Sequence, residues 1–345
     1  MRADVRSVHS LTVTWDSPSS GGLTEYRVIV EEVESNRTVP KSELRSSTFT
    51  GLTAGTPYTV VVVTVSGERR SSAIQRKFHT LPNVPKRMTL TDVSTGSLTV
   101  SWEAPEEQFT GYSIWLLDVA DTKRSINAGT RTTSFSDLVA GKRYIVVLVA
   151  VSGDQKSAEL TGSFYTIPNI ATSLASTATS NSLTITWDVP DSGLVETYIV
   201  ELKNESGGKK DVSAFSVKTT MFTGLDAGTQ YTVVMVTASG DQRGDKVEKI
   251  FYTKPHDVQN VTVKAYVDFL TVAWGPPKSG LVEKYTVKLK YVIGSRKVIT
   301  DLTNRTAKFE SLKSGKRYTV LVIAVSGFQK SIGVNETKRT SESLP

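Results

Sequence analysis

One stretch of ten residues occurs four times, as Tyr58 to Gly67 (YTVVVVTVSG), Tyr144 to Gly153 (YIVVLVAVSG), Tyr231 to Gly240 (YTVVMVTASG) and Tyr318 to Gly327 (YTVLVIAVSG). The starts lie 86, 87 and 87 residues apart, so the chain is a tandem array. At 345 residues, length alone suggests two or three domains, but the internal period overrides it and gives four of roughly 85 residues. Each copy is almost wholly apolar and β-branched, is too short to span a membrane, and closes on Ser-Gly. That pattern reads as a central strand, covered on at least one face and ended by a turn.

Two further signals flank each copy. Upstream of every tyrosine lies a leucine and a turn glycine: Leu52/Gly55/Tyr58, Leu138/Gly141/Tyr144, Leu225/Gly228/Tyr231 and Leu312/Gly315/Tyr318. A Tyr at a strand start just after a Gly turn is the trace of a tyrosine corner, in which the phenol bonds back to the preceding loop. Farther upstream, Leu11 to Trp15, Leu98 to Trp102, Leu183 to Trp187 and Leu270 to Trp274 alternate with period two. Leu, Val or Ile, and Trp therefore share a buried face while Thr and Ser lie outside. Pro18, Pro105, Pro190 and Pro277, each three residues past its Trp, cannot donate to a ladder and end the strand. Each repeat is thus a sandwich anchored by one Trp (Trp15, Trp102, Trp187, Trp274) and one Tyr (Tyr58, Tyr144, Tyr231, Tyr318).

In these motifs the whole chain resembles the fibronectin type III domain, in four copies. The resemblance implies an all-β fold of four seven-stranded, immunoglobulin-like sandwiches, with repeats at 1–81, 82–167, 168–254 and 255–345. The first is truncated, since its Met1 to Val5 aligns with Leu90 to Val93 of the second. In the second repeat the strands are expected near 87–92, 97–103, 110–118, 122–127, 132–136, 143–151 and 157–166. An odd number of antiparallel strands puts a domain's termini at opposite poles, so four in series make an extended rod. The junctions are Thr-x-Pro (Thr80 to Pro82, Thr166 to Pro168, Thr253 to Pro255), not Gly/Ser linkers, and should couple neighbours closely.

A finer resemblance rests on the Val-Ser-Gly or Ala-Ser-Gly endings, followed by Asp154-Gln-Lys156, Asp241-Gln-Arg243 and Phe328-Gln-Lys330. Together with the Thr-x-Pro junctions, this looks like the ectodomains of receptor-type tyrosine phosphatases of the vascular-endothelial and density-enhanced kind. It implies a non-catalytic adhesion segment of a type I receptor whose phosphatase domain and membrane span lie elsewhere, with protein ligands on cells or in the matrix as partners. The alternatives are a tenascin- or fibronectin-like matrix protein, and spacer modules of a secreted carbohydrate enzyme.

Composition narrows the chemistry. There is no cysteine, hence no disulfide, thiolate nucleophile or Cys-based metal site. Five of the nine asparagines (Asn36, Asn204, Asn260, Asn304, Asn335) sit in Asn-x-Ser/Thr, where roughly two are expected by chance, which favours an extracellular, glycosylated chain and disfavours the microbial spacer. Neither a charged-then-apolar leader nor an apolar run of about 20 residues is present, so the chain reads as a fragment of a longer protein. His9, His79 and His256 fall in a turn, a strand end and a linker without ligand spacing, and Glu106-Glu107 reads as a solvated loop pair. With no phosphate loop or nucleophile elbow either, no catalytic, cofactor or metal residue is expected.

Two features stand above this scaffold. Arg243-Gly244-Asp245 follows Ser239-Gly-Asp-Gln242 in the loop between the last two strands of repeat 3, and is the integrin-recognition tripeptide. Its guanidinium suits an acidic pocket and its carboxylate a receptor-bound cation; its bland reading is drift, since repeat 2 has Gln155-Lys-Ser-Ala there. The second is charge: 255–345 holds fifteen basic and seven acidic residues, and its +8 exceeds the whole chain's +7. In Lys284 to Tyr291 the alternation sends Tyr285, Val287, Leu289 and Tyr291 inward and leaves Lys284, Lys288 and Lys290 outside. Arg296 or Lys297 should join them from the next strand. Such a row suits a heparan-type glycosaminoglycan and not nucleic acid, because no aromatics alternate with the lysines to stack bases.

Overall fold

The computed structural model describes residues 1–19, 21–203, 209–213 and 218–342. It divides into two compact units, Met1–Ile167 and Pro168–Pro345. All sheet pairings are antiparallel, and the only helical element among the described residues is a 3₁₀ turn, Glu31–Val33.

In the first unit, residues 1–81 form a three-stranded sheet in the order Arg2–Arg6, Ser10–Thr14, Ser46–Thr50. Against it lies a second sheet ordered Ser35–Pro40, Glu25–Val30, Pro57–Ser66, whose last member also pairs with Arg69–Arg70 and Ile74–His79. Residues 82–167 repeat the order with Lys86–Val93, Leu98–Glu103 and Thr132–Phe135 facing Arg124–Asn127, Gly111–Leu116 and Arg143–Ser152, the last paired with Gln155–Lys156 and Leu160–Tyr165. In the second unit the third repeat has Thr172–Ala178, Ser182–Asp188 and Thr219–Thr223 in one sheet, and Lys209–Ser213, Thr197–Lys203, Gln230–Ser239, Gln242–Arg243 and Val247–Tyr252 in the other. Residues 255–345 follow with Gln259–Ala265, Leu270–Gly275 and Thr306–Phe309, then Lys297–Ile299, Lys284–Leu289, Arg317–Ser326, Gln329–Lys330 and Val334–Arg339.

The final strand of every repeat is broken in two, which the periodicity did not announce. In repeat 1 the register runs Val65↔Arg70 and then Val62↔Ile74, a slip of one residue. The slip is a bulge, pinned where Ser71 N–H returns to Thr64 O at 3.0 Å, and the same bond recurs at Ser157/Ala150, Gly244/Thr237 and Ser331/Ala324. Before each bulge a two-residue turn opens on the Gly of Ser-Gly; Gly240 has φ 54°, a conformation that favours glycine at the first turn position.

The core of each repeat closes on its Trp. Trp15, Trp102, Trp187 and Trp274 are buried, each with a Tyr ring (Tyr26, Tyr112, Tyr198, Tyr285) 5.4–5.5 Å away and steeply inclined to it. Tyr58, Tyr144, Tyr231 and Tyr318 are buried too, and their hydroxyls accept from Thr53, Val139, Asp226 and Lys313 N–H at 2.8–3.0 Å. The Thr of each Thr-x-Pro, and Thr340 at the same place in repeat 4, staples the same loop from the other side. Thr80 Oγ1 accepts from Thr56 N–H and donates to Thr53 O, and Thr166, Thr253 and Thr340 do likewise. Tyr144→Phe keeps the ring and removes one such bond, so urea titration should show a loss of about 1–2 kcal/mol.

Within each unit the corner loop is also where one repeat meets the next. In the first unit, Glu107 Oε2 accepts from Ala54 N–H at 2.6 Å, Ser152 Oγ donates to Gly55 O at 2.5 Å, and Arg6 pairs with Asp154 at 3.1 Å. Glu107 is therefore a junction acceptor and not a merely solvated acid. In the second unit, Leu281 N–H donates to Ala227 O at 2.9 Å, Ser326 Oγ donates to Gly228 O at 2.5 Å, and the Tyr252 and Phe328 rings meet edge to face at 5.4 Å.

A candidate polyanion-binding face and the Arg-Gly-Asp segment

The outer face of the second sheet of repeat 4 can be built row by row from its register. Lys284 lies opposite Val325, which lies opposite Lys330; Lys288 lies opposite Leu321, which lies opposite Asn335. Lys290 N–H bonds Thr319 O at 2.8 Å, and Thr319 lies opposite Thr337, with their hydroxyls 2.9 Å apart. Arg317 closes the face opposite Arg339. Neighbouring strands lie about 4.8 Å apart and each residue rises about 3.3 Å, so these cations form a strip about two strand spacings wide and roughly 26 Å long. Its floor is Val325 and Leu321, both nearly buried, with Ile323 half-buried between them.

Lys284, Lys288 and Lys290 stand on this face, half-buried at the stems, as the alternation requires. Two expectations are corrected. Tyr291 does not turn inward: the strand ends at Leu289, Tyr291 takes φ 61°, and its side chain is fully exposed on a loop with Val292 and Ile293. Lys297 is opposite Val287, a core residue, so it belongs to the inner side, where its ammonium lies 5.7 Å from the Phe309 ring. Arg296, exposed and just outside the ladder, falls opposite Lys288 if the register continues by one residue. Sequence reasoning missed Arg317 and Lys330. Their signal was available, since Arg317 immediately precedes the corner tyrosine and Lys330 follows the Ser-Gly turn on the outward parity. An aromatic does stand near the lysines, but Tyr291 is a single ring on a loop, not a series along the strand.

The same face of repeat 3 is built oppositely. The row Glu201–Val234–Glu248 occupies the place of Lys288–Leu321–Asn335. Glu248 Oε1 sits 3.1 Å from both Lys203 and Lys246, and bonds from Lys246 and Lys203 hold its carboxyl below the usual range. Repeat 3 neutralises its cations internally. In repeat 4, none of the ion pairs among the described residues involves Lys284, Lys288, Lys290, Arg317 or Lys330.

Arg243-Gly244-Asp245 is not at a hairpin tip. The tip is Gly240-Asp241; Arg243 already pairs with Ala238, and its guanidinium donates to Gly240 O and Gln242 O at 3.0 Å. Gly244 is buried and occupies the bulge position that Ser71, Ser157 and Ser331 fill in the other repeats. There the serine hydroxyls accept from Thr64, Ala150 and Ala324 N–H at 3.0–3.2 Å. In repeat 3 the residue facing the bulge is Thr237, and a Cβ at 244 would lie 2.3 Å from its hydroxyl and 2.6 Å from Pro168 O. Local packing therefore accounts for the glycine, while Asp245 is exposed.

Of the candidate glycosylation sites, Asn36, Asn260, Asn304 and Asn335 are exposed, and Asn204 lies outside the described residues. His9 Nδ1 lies 2.9 Å from Leu52 O, and the His79 ring sits against Gly153. No cluster of three His, Asp or Glu that could hold a metal occurs among the described residues.

A family model for the fibronectin type III domain matches residues 1–77, 83–163 and 171–251, one segment fewer than the four expected. Residues 255–345 are outside the match, although their sheets have the same order. Human tenascin-N is 26% identical over 333 residues, spanning 94% of this chain and 25% of that protein. Chicken receptor-type tyrosine-protein phosphatase eta is 26% identical over 342 residues, spanning 94% of this chain and 24% of that protein. Rat tenascin-R is 26% identical over 331 residues, 93% of this chain and 24% of that protein. The chain thus spans about a quarter of the length of these relatives. Among solved structures, a two-domain fibronectin type III segment of chicken tenascin matches at 22% identity and TM-score 0.36, covering 50% of this chain and all of that one.

Proposed function

The chain belongs to the fibronectin type III family, and from that premise we propose that it is a non-catalytic adhesion segment whose fourth repeat binds a sulfated, heparan-type glycosaminoglycan. It is extracellular, and residues 255–345 are a fourth, divergent copy of the module, as their sheet order supports. The observation that carries the ligand reading is the contrast between repeats 3 and 4: one sheet face, with Lys203 and Lys246 paired to Glu248 in the former and Lys284, Lys288, Lys290, Arg317 and Lys330 without an ion pair among the described residues in the latter. Like charges gathered without a counter-charge repel one another, and a polyanion relieves that repulsion. By analogy with counterion release from other polyanions, neutralising about three or four cations gives a log–log salt slope of comparable size.

On a heparin column, the intact chain with Lys284, Lys288 and Lys290 changed together to Ser should elute well before wild type, with the slope reduced by roughly one per lysine. Co-elution of the two proteins would reduce the patch to ordinary solvation.

For the parent protein, a receptor tyrosine phosphatase ectodomain and a tenascin-like matrix protein are supported equally by identity; the phosphatase-like endings of the tyrosine strands favour the receptor. Spacer modules of a secreted enzyme have no such support. Integrin binding through Arg243-Gly244-Asp245 is the lesser reading for this chain, because the packing around Gly244 accounts for its glycine without a receptor and Arg243 is already in the ladder. Cation-dependent cell attachment that disappears in Asp245→Glu, with the fold intact, would restore it.

A further inference from the structure

We propose that Asn335 carries an N-linked glycan that closes the cationic face of repeat 4, an inference that rests on the polyanion reading above. Asn335-Glu336-Thr337 is an acceptor sequence without proline, and Asn335 is exposed. Among the described residues its strand, Val334–Arg339, has ladder pairing only with Arg317–Ser326, so the residue stands at the edge of that sheet, where the strand runs beside Gln259–Ala265 of the other. From that edge it faces the patch. Asn335, Leu321 and Lys288 form one cross-strand row, and Thr337, Thr319 and Lys290 the next. At about 4.8 Å per strand, the Asn335 backbone is roughly 10 Å from that of Lys288 across an almost buried leucine. An N-linked oligosaccharide is bulky enough to lie over that floor and exclude a second carbohydrate chain from the lysines.

The place of Asn335 in the lattice adds an independent argument. In repeat 3 the corresponding position is Glu248, whose fixed carboxylate pairs with both Lys203 and Lys246. Repeat 4 has, at that same point, a residue whose effect on its cations depends on modification. The donor is an oligosaccharide linked to a lipid pyrophosphate. A bond forms between Asn335 Nδ2 and sugar C1, the C1–O bond to the pyrophosphate breaks, and the amide nitrogen gives up one proton. The other described acceptors of this repeat lie elsewhere: Asn260 is in Gln259–Ala265 of the opposite sheet, and Asn304 precedes Thr306–Phe309 of that sheet. Glycans there leave the lysines open.

The test uses the full chain secreted from a glycosylating cell line, applied to immobilised heparin, with occupancy of Asn335 read by glycopeptide mass spectrometry. Asn335→Gln should bind roughly tenfold more tightly than the occupied wild type, the scale of one or two restored cationic contacts. Enzymatic trimming of wild type to single sugars should give most of the same gain, while Asn260→Gln and Asn304→Gln should leave elution unchanged. Wild type and Asn335→Gln eluting together with Asn335 occupied would overturn the proposal, and so would an unoccupied Asn335. If Asn335→Gln is not retained at all, the polyanion reading itself has failed and the glycan has nothing to close.

Discussion

Trp187→Ala is expected to unfold repeat 3 while leaving repeats 1 and 2 intact. Trp187 is 3% exposed, packs at 5.4 Å on Tyr198, and lies in a core bounded by residues of repeat 3 alone. Truncating a buried aromatic to alanine costs about 3–5 kcal/mol, against roughly 5–10 for a domain of this size. At about 4–8 °C per kcal/mol for a 60–100-residue domain, one calorimetric transition should fall by at least about 12 °C or vanish at room temperature. Repeat 4 has its own core around Trp274 and loses its bonds to the Ala227–Gly228 loop and the Tyr252–Phe328 ring contact, so it should weaken by about 2–4 kcal/mol without unfolding. A scan in which all four repeats melt together at the lowered temperature would refute separate cores.

That modular core was legible because it is written locally. Period two alone places Leu11, Val13 and Trp15 on one face, and the turn glycine with its tyrosine defines a corner within seven residues. In repeat 2 the strands Lys86–Val93, Leu98–Glu103 and Arg143–Ser152 fall within a residue or so of their expected ends. The break in the last strand was not legible. The Ser71 bond to Thr64 spans only seven residues, but the serine that makes it looks like any other polar residue in a turn.

The candidate face shows where such reading stops. Lys284, Lys288 and Lys290 could be placed because one strand's parity needs only the strand. Lys297 could not, since its face depends on the residues consumed by the loop from Lys290 to Arg296. A change of one residue there sends a side chain to the other side of the sheet. Tyr291 failed for a related reason: Ser295 Oγ bonds Leu289 N–H and O and ends the ladder two residues early. Arg317 and Lys330 lie on strands noticed for their apolar residues, and only the pairing with Arg339 and Val325 brings them to the lysines. The Arg-Gly-Asp segment read as a loop because its bulge could not be seen.

Gly228→Val should part repeats 3 and 4 without unfolding either core. Gly228 has φ 66°, where a β-branched residue is strained by about 1–2 kcal/mol, and its added Cβ would lie 1.9 Å from Leu281 O. Backbone cannot yield as a flexible side chain does. Relief requires the loop 227–228 to leave Leu281, and with it go the Leu281 N–H bond to Ala227 O and the Ser326 hydroxyl bond to Gly228 O, worth about 0.5–1.5 kcal/mol each. The two bonds together, about 1–3 kcal/mol, predict that amide exchange at Leu281 accelerates by roughly five- to 150-fold while core amides such as Val233 and Val320 keep their protection. Gly224→Val is the control. Its φ of 75° imposes similar strain, but nothing lies within 4 Å of the added Cβ, so Leu281 should exchange as in wild type. Equal acceleration in both variants would mean that strain in the corner loop, and not the close approach of the two repeats, governs the junction.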